Sequence, residues 1–348
     1  MKTIGYAAHS SHDDLVPFAF ARRDLRPDDV AIEILYSGVC HSDLHQVRND
    51  WGFSQYPMVP GHEIVGKVIG VGPGVKRYKV GDNVAVGCMV DSCHECDQCK
   101  RGDEQFCREG MTQTYNSEDR IDGQITYGGY SKHIIVREEF VLSVPDALDL
   151  SRTAPILCAG ITTFSPLRNY QVGPGSRVGV AGLGGLGHMA VKLAKAMGAE
   201  VTVLTHSARK ETMAKQLGAD KVLITSDEAA MVSAANTLDL IVNTIPVEHD
   251  INPYLPLLDA RGTMVIVGQL GSVGDPSTVP LIFANRSIAG SLIGGIAQTQ
   301  EVLDFCAQHN IHPECELIEM DQINDAFRRL EEGSVPHRLV IDMASLAS

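Results

Sequence analysis

Two periodicities divide the 348-residue chain. Up to about residue 145, apolar positions come in short runs rich in β-branched residues, among them Ala31–Tyr36, Glu63–Val71 and Asn83–Gly87. Turn signals such as Gly72-Pro73-Gly74 and Gly81-Asp82-Asn83 separate them, so this half reads as a compact domain of short strands. From Ser176 the pattern changes to strands alternating with helices. Arg177–Ala181 reads as a buried strand, after which Leu186, Met189, Ala190, Leu193, Ala194 and Met197 fall on one helical face. Gly198 is a natural stop for that helix. Val201–Leu204 is the next strand, and others are expected at Lys221–Ile224, Leu238–Val242 and Thr263–Val267, with this domain closing near Asn285.

The turn between the first of these strands and its helix is Gly182-Leu183-Gly184-Gly185-Leu186-Gly187. In the order strand, turn, helix, strand, this spacing predicts dinucleotide binding. The first glycine makes the turn, the second admits the pyrophosphate and the third lets helix and sheet pack; the helix amides then face the anion. The end of the second strand selects the cofactor. A carboxylate there would hold a ribose 2′-hydroxyl, whereas this chain has Thr205-His206-Ser207-Ala208-Arg209-Lys210. Hydroxyls and two cations suit the 2′-phosphate of NADP(H).

Composition narrows the class. A net charge of −14 argues against binding a phosphate backbone as the main activity, and no partner nucleic acid is expected. No apolar run approaches a membrane span, and the first residues lack the apolar core of a signal peptide, so a cytoplasmic location is expected. Thiols are reduced there, and nine cysteines point to metal or to chemistry more than to disulfides.

Four of the nine, Cys93, Cys96, Cys99 and Cys107, lie within fifteen residues and can close on one tetrahedral Zn²⁺. An all-sulfur site has no position for substrate, which makes it structural. Lys100, Arg101 and Arg108 are near enough in sequence to offset part of its negative charge. The stretch Gly38-Val39-Cys40-His41-Ser42-Asp43-Leu44-His45 concentrates a thiol, two imidazoles, a hydroxyl and a carboxylate. With His62, after the Pro60-Gly61 turn, and with Cys158, it completes a Cys₂His set whose fourth position stays open to a substrate oxygen. Cys88 and Cys306 read as core residues, and Cys315 has no assigned role.

These motifs carry a family likeness. With Tyr56-Pro57-Met58-Val59-Pro60-Gly61-His62-Glu63 and Cys158-Ala159-Gly160-Ile161-Thr162, the chain resembles the zinc-containing medium-chain alcohol dehydrogenases. Within them it resembles the cinnamyl-alcohol-dehydrogenase-like branch of NADP-dependent aldehyde reductases. The resemblance implies an α/β fold: a GroES-like β catalytic domain (residues 1–150, with the structural zinc lobe at 88–110), a Rossmann doubly wound parallel-sheet domain binding NADP(H) (151–286), and a return segment (287–348). It implies two zinc ions per chain, Cys40, His62 and Cys158 holding the catalytic one, with Glu63 either behind the ligands or as an exchanging ligand. Asp43 would orient His62, Ser42 would touch the substrate oxygen and begin a proton relay ending at His45, and His41 and Thr162 would contact the cofactor.

Trp51, Phe53, Leu292 and Ile293 are the implied substrate-pocket residues, although Trp51 and Phe53 also fit core positions. Plant lignin enzymes of this branch carry a tryptophan where this chain has Met111-Thr112-Gln113-Thr114, which weakens a cinnamyl-specific reading. The reading is therefore reversible hydride transfer between NADP(H) and primary alcohols or aldehydes, aromatic or medium-chain aliphatic, by a homodimer. An NAD-linked polyol dehydrogenase is the rival enzyme, and a non-catalytic nucleotide-binding relative the rival from another class.

Overall fold

The computed structural model describes residues 1–268, 271–335 and 337–346. The chain forms two compact units, one made of residues 1–158 with 294–348 and the other of residues 159–293.

In the first unit the eleven-residue strand Asp29–Val39 is the spine of a seven-stranded sheet. Its first half pairs with His133–Arg137, and most of its length with Ile64–Val71. Its last four residues pair antiparallel with the C-terminal strand Arg338–Asp342, Val340 opposite Gly38. The core follows from the predicted runs: Ile32, Ile64, Val65, Val84 and Val86 are completely buried, as is Val30 just before the first run. Each such side chain contributes on the order of 2 kcal/mol of transfer free energy. Because the spine ends at Val39, the register of the C-terminal strand decides what stands beside Cys40.

The second unit is a six-stranded parallel sheet. Its spatial order is Lys221–Ile224, Glu200–Thr205, Arg177–Ala181, Leu238–Asn243, Leu258–Ile266 and Ser287–Gly290. Numbered along the chain this is 3-2-1-4-5-6, the doubly wound order whose switch point lies beside the first strand. The predicted helix spans Gly187–Ala196, with Met189, Ala190, Leu193 and Ala194 completely buried. Gly198 leaves it at φ +93°, a left-handed turn that a side chain would strain.

Two expected boundaries shift. The strand Ser287–Gly290, assigned from sequence to the return segment, is instead the sixth strand of the parallel sheet, and that unit runs to Ile293. At the other end the first unit continues past residue 150 to Cys158. The strand Ser287–Gly290 is only four residues long, so its pairing with Thr263–Ile266 could not be read locally.

Candidate metal and cofactor sites

Cys40 is where the spine strand ends and the helix His41–Arg48 begins. It is the N-cap: its sulfur accepts from the Ser42 N–H at 3.5 Å, while the Asp43 carboxylate accepts from the Cys40 N–H at 3.1 Å. A sulfur at a helix N-terminus faces unpaired amides and the positive end of the dipole, both of which favour thiolate. His62 follows Gly61, which sits at φ +103°; a Cβ on Gly61 would lie 2.7 Å from the Tyr130 ring. Cys158 is the residue between the short turn Ala154–Leu157 and the helix beginning at Ala159.

Ligand atoms of Cys40, His62, Glu63 and Cys158 all lie within 4.8 Å of one another, and all four residues are buried. The donor chemistry fits zinc. His62 Nδ1–H donates to Asp43 Oδ1 at 2.9 Å, which leaves Nε2 as the metal-binding nitrogen. Cys40 and Cys158 sulfurs are 3.8 Å apart. Glu63 Oε2 is buried without a hydrogen-bond partner, an orphaned acceptor inside the same cluster. The hydrogen bond with Cys158, helped by Arg338 and His62 against the cost of burial, holds the Cys40 thiol well below its ordinary value. Burial opposes charge on His62, yet Asp43, Cys88 and Cys40 together outweigh it and raise the imidazole well above the usual range.

Three residues at this site were not singled out from sequence. Arg338 hydrogen-bonds Glu63 Oε1 through Nη2 and lies 4.0 Å from the Cys40 sulfur through Nη1. The Tyr130 hydroxyl donates to Asp43 Oδ2 at 3.2 Å. Cys88, read as core, instead engages Cys158 and feels the charge of His62. Its neighbours Gly87 and Met89 gave no sign of that.

The expected relay residues occupy the helix beyond Cys40. His45 pairs through Nδ1 with Asp50 Oδ2 at 2.7 Å, which points Nε2 away from that carboxylate. A row of rings continues outward: His41 to His45 at 6.3 Å, His45 to Trp51 at 5.8 Å, and Trp51 stacked on Phe53 at 6.0 Å. Phe53 is 54% exposed, so it is not the core residue that one reading allowed.

Cys93, Cys96, Cys99 and Cys107 form the second cluster, their sulfurs within 4.8 Å of one another. Backbone N–H groups of Cys93, Cys96 and Cys99 donate to the sulfurs of Cys107, Cys93 and Cys96 at 3.4–3.5 Å. The backbone N–H groups of Arg108 and Cys99 pull the Cys96 thiol down to about 6. Of the expected cations, Arg108 feels the charge of Cys96, but no hydrogen bond from it to a sulfur is formed. Arg108 is bound to Asp97 and Arg101 lies 3.7 Å from Asp103, while Arg120, from a later loop, approaches the Cys107 sulfur at 3.8 Å.

In the second unit the three spaced glycines of the turn differ in their surroundings. Gly182 turns at φ +88°, and a Cβ on Gly187 would lie 2.3 Å from the Gly182 carbonyl. A Cβ on Gly184 would meet nothing within 4 Å, so open space faces the turn where a pyrophosphate would lie. Gly185 and Leu186 complete the turn into the helix, and Thr162 is buried on Ala159–Asn169. At the end of the second strand Thr205 Oγ1 accepts from the Ser207 N–H at 3.2 Å, and His206 and Arg209 are exposed. Lys210 behaves differently: its Nζ donates to the Leu183 carbonyl of the glycine turn at 3.0 Å. Leu292 is 42% exposed and Ile293 buried, at the end of this unit.

Comparison with known proteins agrees with this geometry. The Alcohol dehydrogenase GroES-like domain family matches residues 26–146, and the Zinc-binding dehydrogenase family matches residues 185–308. The chain is 51% identical over 350 residues to an NADP-dependent alcohol dehydrogenase C of Mycolicibacterium smegmatis, covering all of both chains. It is 49% identical to an aldehyde reductase of Escherichia coli, covering 99% of each. Among solved structures, cinnamyl alcohol dehydrogenase of Sorghum bicolor superposes with a TM-score of 0.95 at 43% identity, over 99% of this chain and 98% of that one.

Proposed function

Because the chain belongs to the zinc-binding alcohol dehydrogenases with a GroES-like domain, we propose that it interconverts primary alcohols and aldehydes with NADP(H), on a site built by Cys40, His62, Cys158 and Ser42. The observation that carries the reading is the buried Cys40–His62–Cys158 cluster with Glu63 beside it. A non-catalytic relative has no use for an open Cys₂His site. Zinc, when bound there, supplies a Lewis acid that polarises a carbonyl or lowers the pKa of an alcohol, worth several kcal/mol of barrier.

The chain's own residues then hold and move protons. Asp43 fixes the tautomer of His62. Ser42, two residues after the ligand Cys40, exchanges a proton with the substrate oxygen. His45, oriented by Asp50, returns it toward solvent. The Trp51–Phe53 stack favours uncharged aromatic or medium-chain substrates, with Leu292 and Ile293 as further pocket residues. The cofactor brings the hydride; the Gly182–Gly187 turn takes its pyrophosphate, with His41 and Thr162 as further contacts. Thr205, His206, Ser207 and Arg209 discriminate for the 2′-phosphate, while Lys210 holds the glycine turn that takes the pyrophosphate. The four-sulfur cluster is structural, and its reduced thiols suit a cytoplasmic location. No described helix is long and apolar enough to cross a membrane.

The assembly we propose is a homodimer through the second unit. Ser287–Gly290 is the last strand of its sheet, and the preceding helix Thr278–Ala284 exposes Val279, Ile282 and Phe283 by 61%, 74% and 88%. A free edge beside an apolar face is a pairing surface.

The test is consumption of NADPH, against NADH, with benzaldehyde and a medium-chain aldehyde, with zinc counted on the same sample. Oxidation that prefers NADPH, with two zinc ions per chain, is the expected result. One zinc or none with no turnover would defeat the reading.

A further inference from the structure

The Asp43 carboxylate is completely buried and receives four hydrogen bonds. Oδ1 accepts from the His62 Nδ1–H at 2.9 Å and the Gly61 N–H at 3.0 Å; Oδ2 accepts from the Cys40 N–H at 3.1 Å and the Tyr130 hydroxyl at 3.2 Å. Three donors come from the ligand-bearing segments themselves. The fourth reaches in from elsewhere, from a residue neither ligating nor adjacent to a ligand; Tyr115, buried nearby, also interacts with the carboxylate.

Tyr130 is anchored to the strip that carries His62. Gly128 N–H donates to the Val59 carbonyl, Gly129 N–H to Gly61 and Tyr130 N–H to Pro60, at 2.7–2.9 Å, so residues 128–130 run alongside 59–61. The Tyr6 N–H holds the Tyr130 carbonyl at 2.9 Å, and its ring is completely buried against Gly61. The hydroxyl therefore has one place to go. The terminal torsion of an aspartate is soft, and a carboxylate held by two donors on each oxygen has its plane fixed.

We propose that Tyr130 is a positioning residue of the catalytic zinc site, acting through Asp43 to hold the His62 imidazole in its metal-binding orientation; this rests on the zinc reading given above. The Tyr130 hydroxyl bonds Asp43 and not a ligand atom. Its effect is to keep Oδ2 from turning, so that Oδ1 stays in line with Nδ1–H. Outer partners of ligating histidines set metal affinity by about ten- to a hundredfold.

The experiment follows zinc release from the holoenzyme to a chromogenic chelator, 4-(2-pyridylazo)resorcinol, with the four-sulfur zinc as internal reference. Tyr130→Phe keeps the ring and removes the hydroxyl. It is expected to release the catalytic zinc about tenfold faster while the other zinc leaves at its wild-type rate. Asp43→Asn is made alone and in combination. If Tyr130 works through Asp43, the double variant is no faster than Asp43→Asn. Unchanged release from Tyr130→Phe, equal acceleration of both zincs, or additive effects in the double variant would each overturn the proposal. Should wild-type protein carry only the four-sulfur zinc, the metal reading itself fails, and this inference with it.

Discussion

Arg338 reaches across from the C-terminal strand to Glu63, the residue after the ligand His62, and the two form a buried ion pair. The strand register makes this possible: Leu339 lies opposite Val39, which places Arg338 level with Cys40. The side chain of Glu63 is completely buried and that of Arg338 is 3% exposed. Removing one partner strands the other in a medium that cannot solvate it. Arg338→Ala is therefore expected to lower stability by about 3–5 kcal/mol, read from urea unfolding of the apo protein. Replacing both, Glu63→Gln with Arg338→Met, should cost much less, because no charge is left buried. A double variant as unstable as Arg338→Ala would show that the pair is not what the single change breaks.

Gly38 is constrained by space rather than by backbone angle. A Cβ there would lie 1.9 Å from Glu63 Oε2 and 2.8 Å from its Cδ. Gly38→Ala must push the carboxylate off its place beside the ligand cluster, and overpacking a filled interior costs about 1–3 kcal/mol. The expected outcome is a lower melting temperature together with loss of catalytic zinc, the four-sulfur zinc being retained. Metal analysis that finds two zincs in a fully stable Gly38→Ala protein would contradict the contact.

Much of this was legible locally. Cys93 to Cys107 and Gly38 to His45 are short stretches whose chemistry is written in adjacent residues, and the helix after Gly187 follows a single periodicity. What escaped was carried by tertiary register. Arg338 stands in an ordinary strand, and nothing in His337-Arg338-Leu339 says that it will face a carboxylate 275 positions away. Arg120 reaches Cys107 through a loop while nearer cations find aspartates. Tyr130 looked like any buried aromatic until Gly61 and Asp43 were beside it. The end of the parallel sheet was misplaced for the same reason, since Ser287–Gly290 is recognisable only by its partner.

Arg209 and Lys210 were grouped as recognising the 2′-phosphate, yet the structure separates them. Lys210 braces the glycine turn through the Leu183 carbonyl, whereas Arg209 is exposed. Arg209→Ala should raise the KM for NADPH and leave that for NADH nearly unchanged. Lys210→Ala should raise both, because the turn serves either cofactor. A charge-assisted hydrogen bond is worth about 1.5–3 kcal/mol, which corresponds to roughly ten- to a hundredfold in KM. Identical effects of the two substitutions on both cofactors would remove the distinction.

The proposed contact of His41 with the cofactor would give its affinity a pH dependence of definite sign. Burial lowers its pKa below 6.5, and Arg338 and His45 push the same way against the pull of Cys40. At neutral pH the free protein therefore holds His41 uncharged. If the proposed contact of His41 with the cofactor holds, the anion favours the imidazolium and NADPH binding takes up a proton. Affinity should then rise as pH falls through the range between the bound and free pKa values, by up to tenfold per unit. Stability of the apo protein runs the other way. The unfolded chain binds this proton more readily, so the His41 contribution is lost as pH drops through 6.5. Calorimetric titration with NADPH from about pH 5.5 to about pH 8, in two buffers of different ionisation enthalpy, measures the proton directly. His41→Gln should flatten the affinity profile and remove the proton uptake. Proton release on binding, or a profile that His41→Gln leaves unchanged, would take His41 out of pyrophosphate recognition.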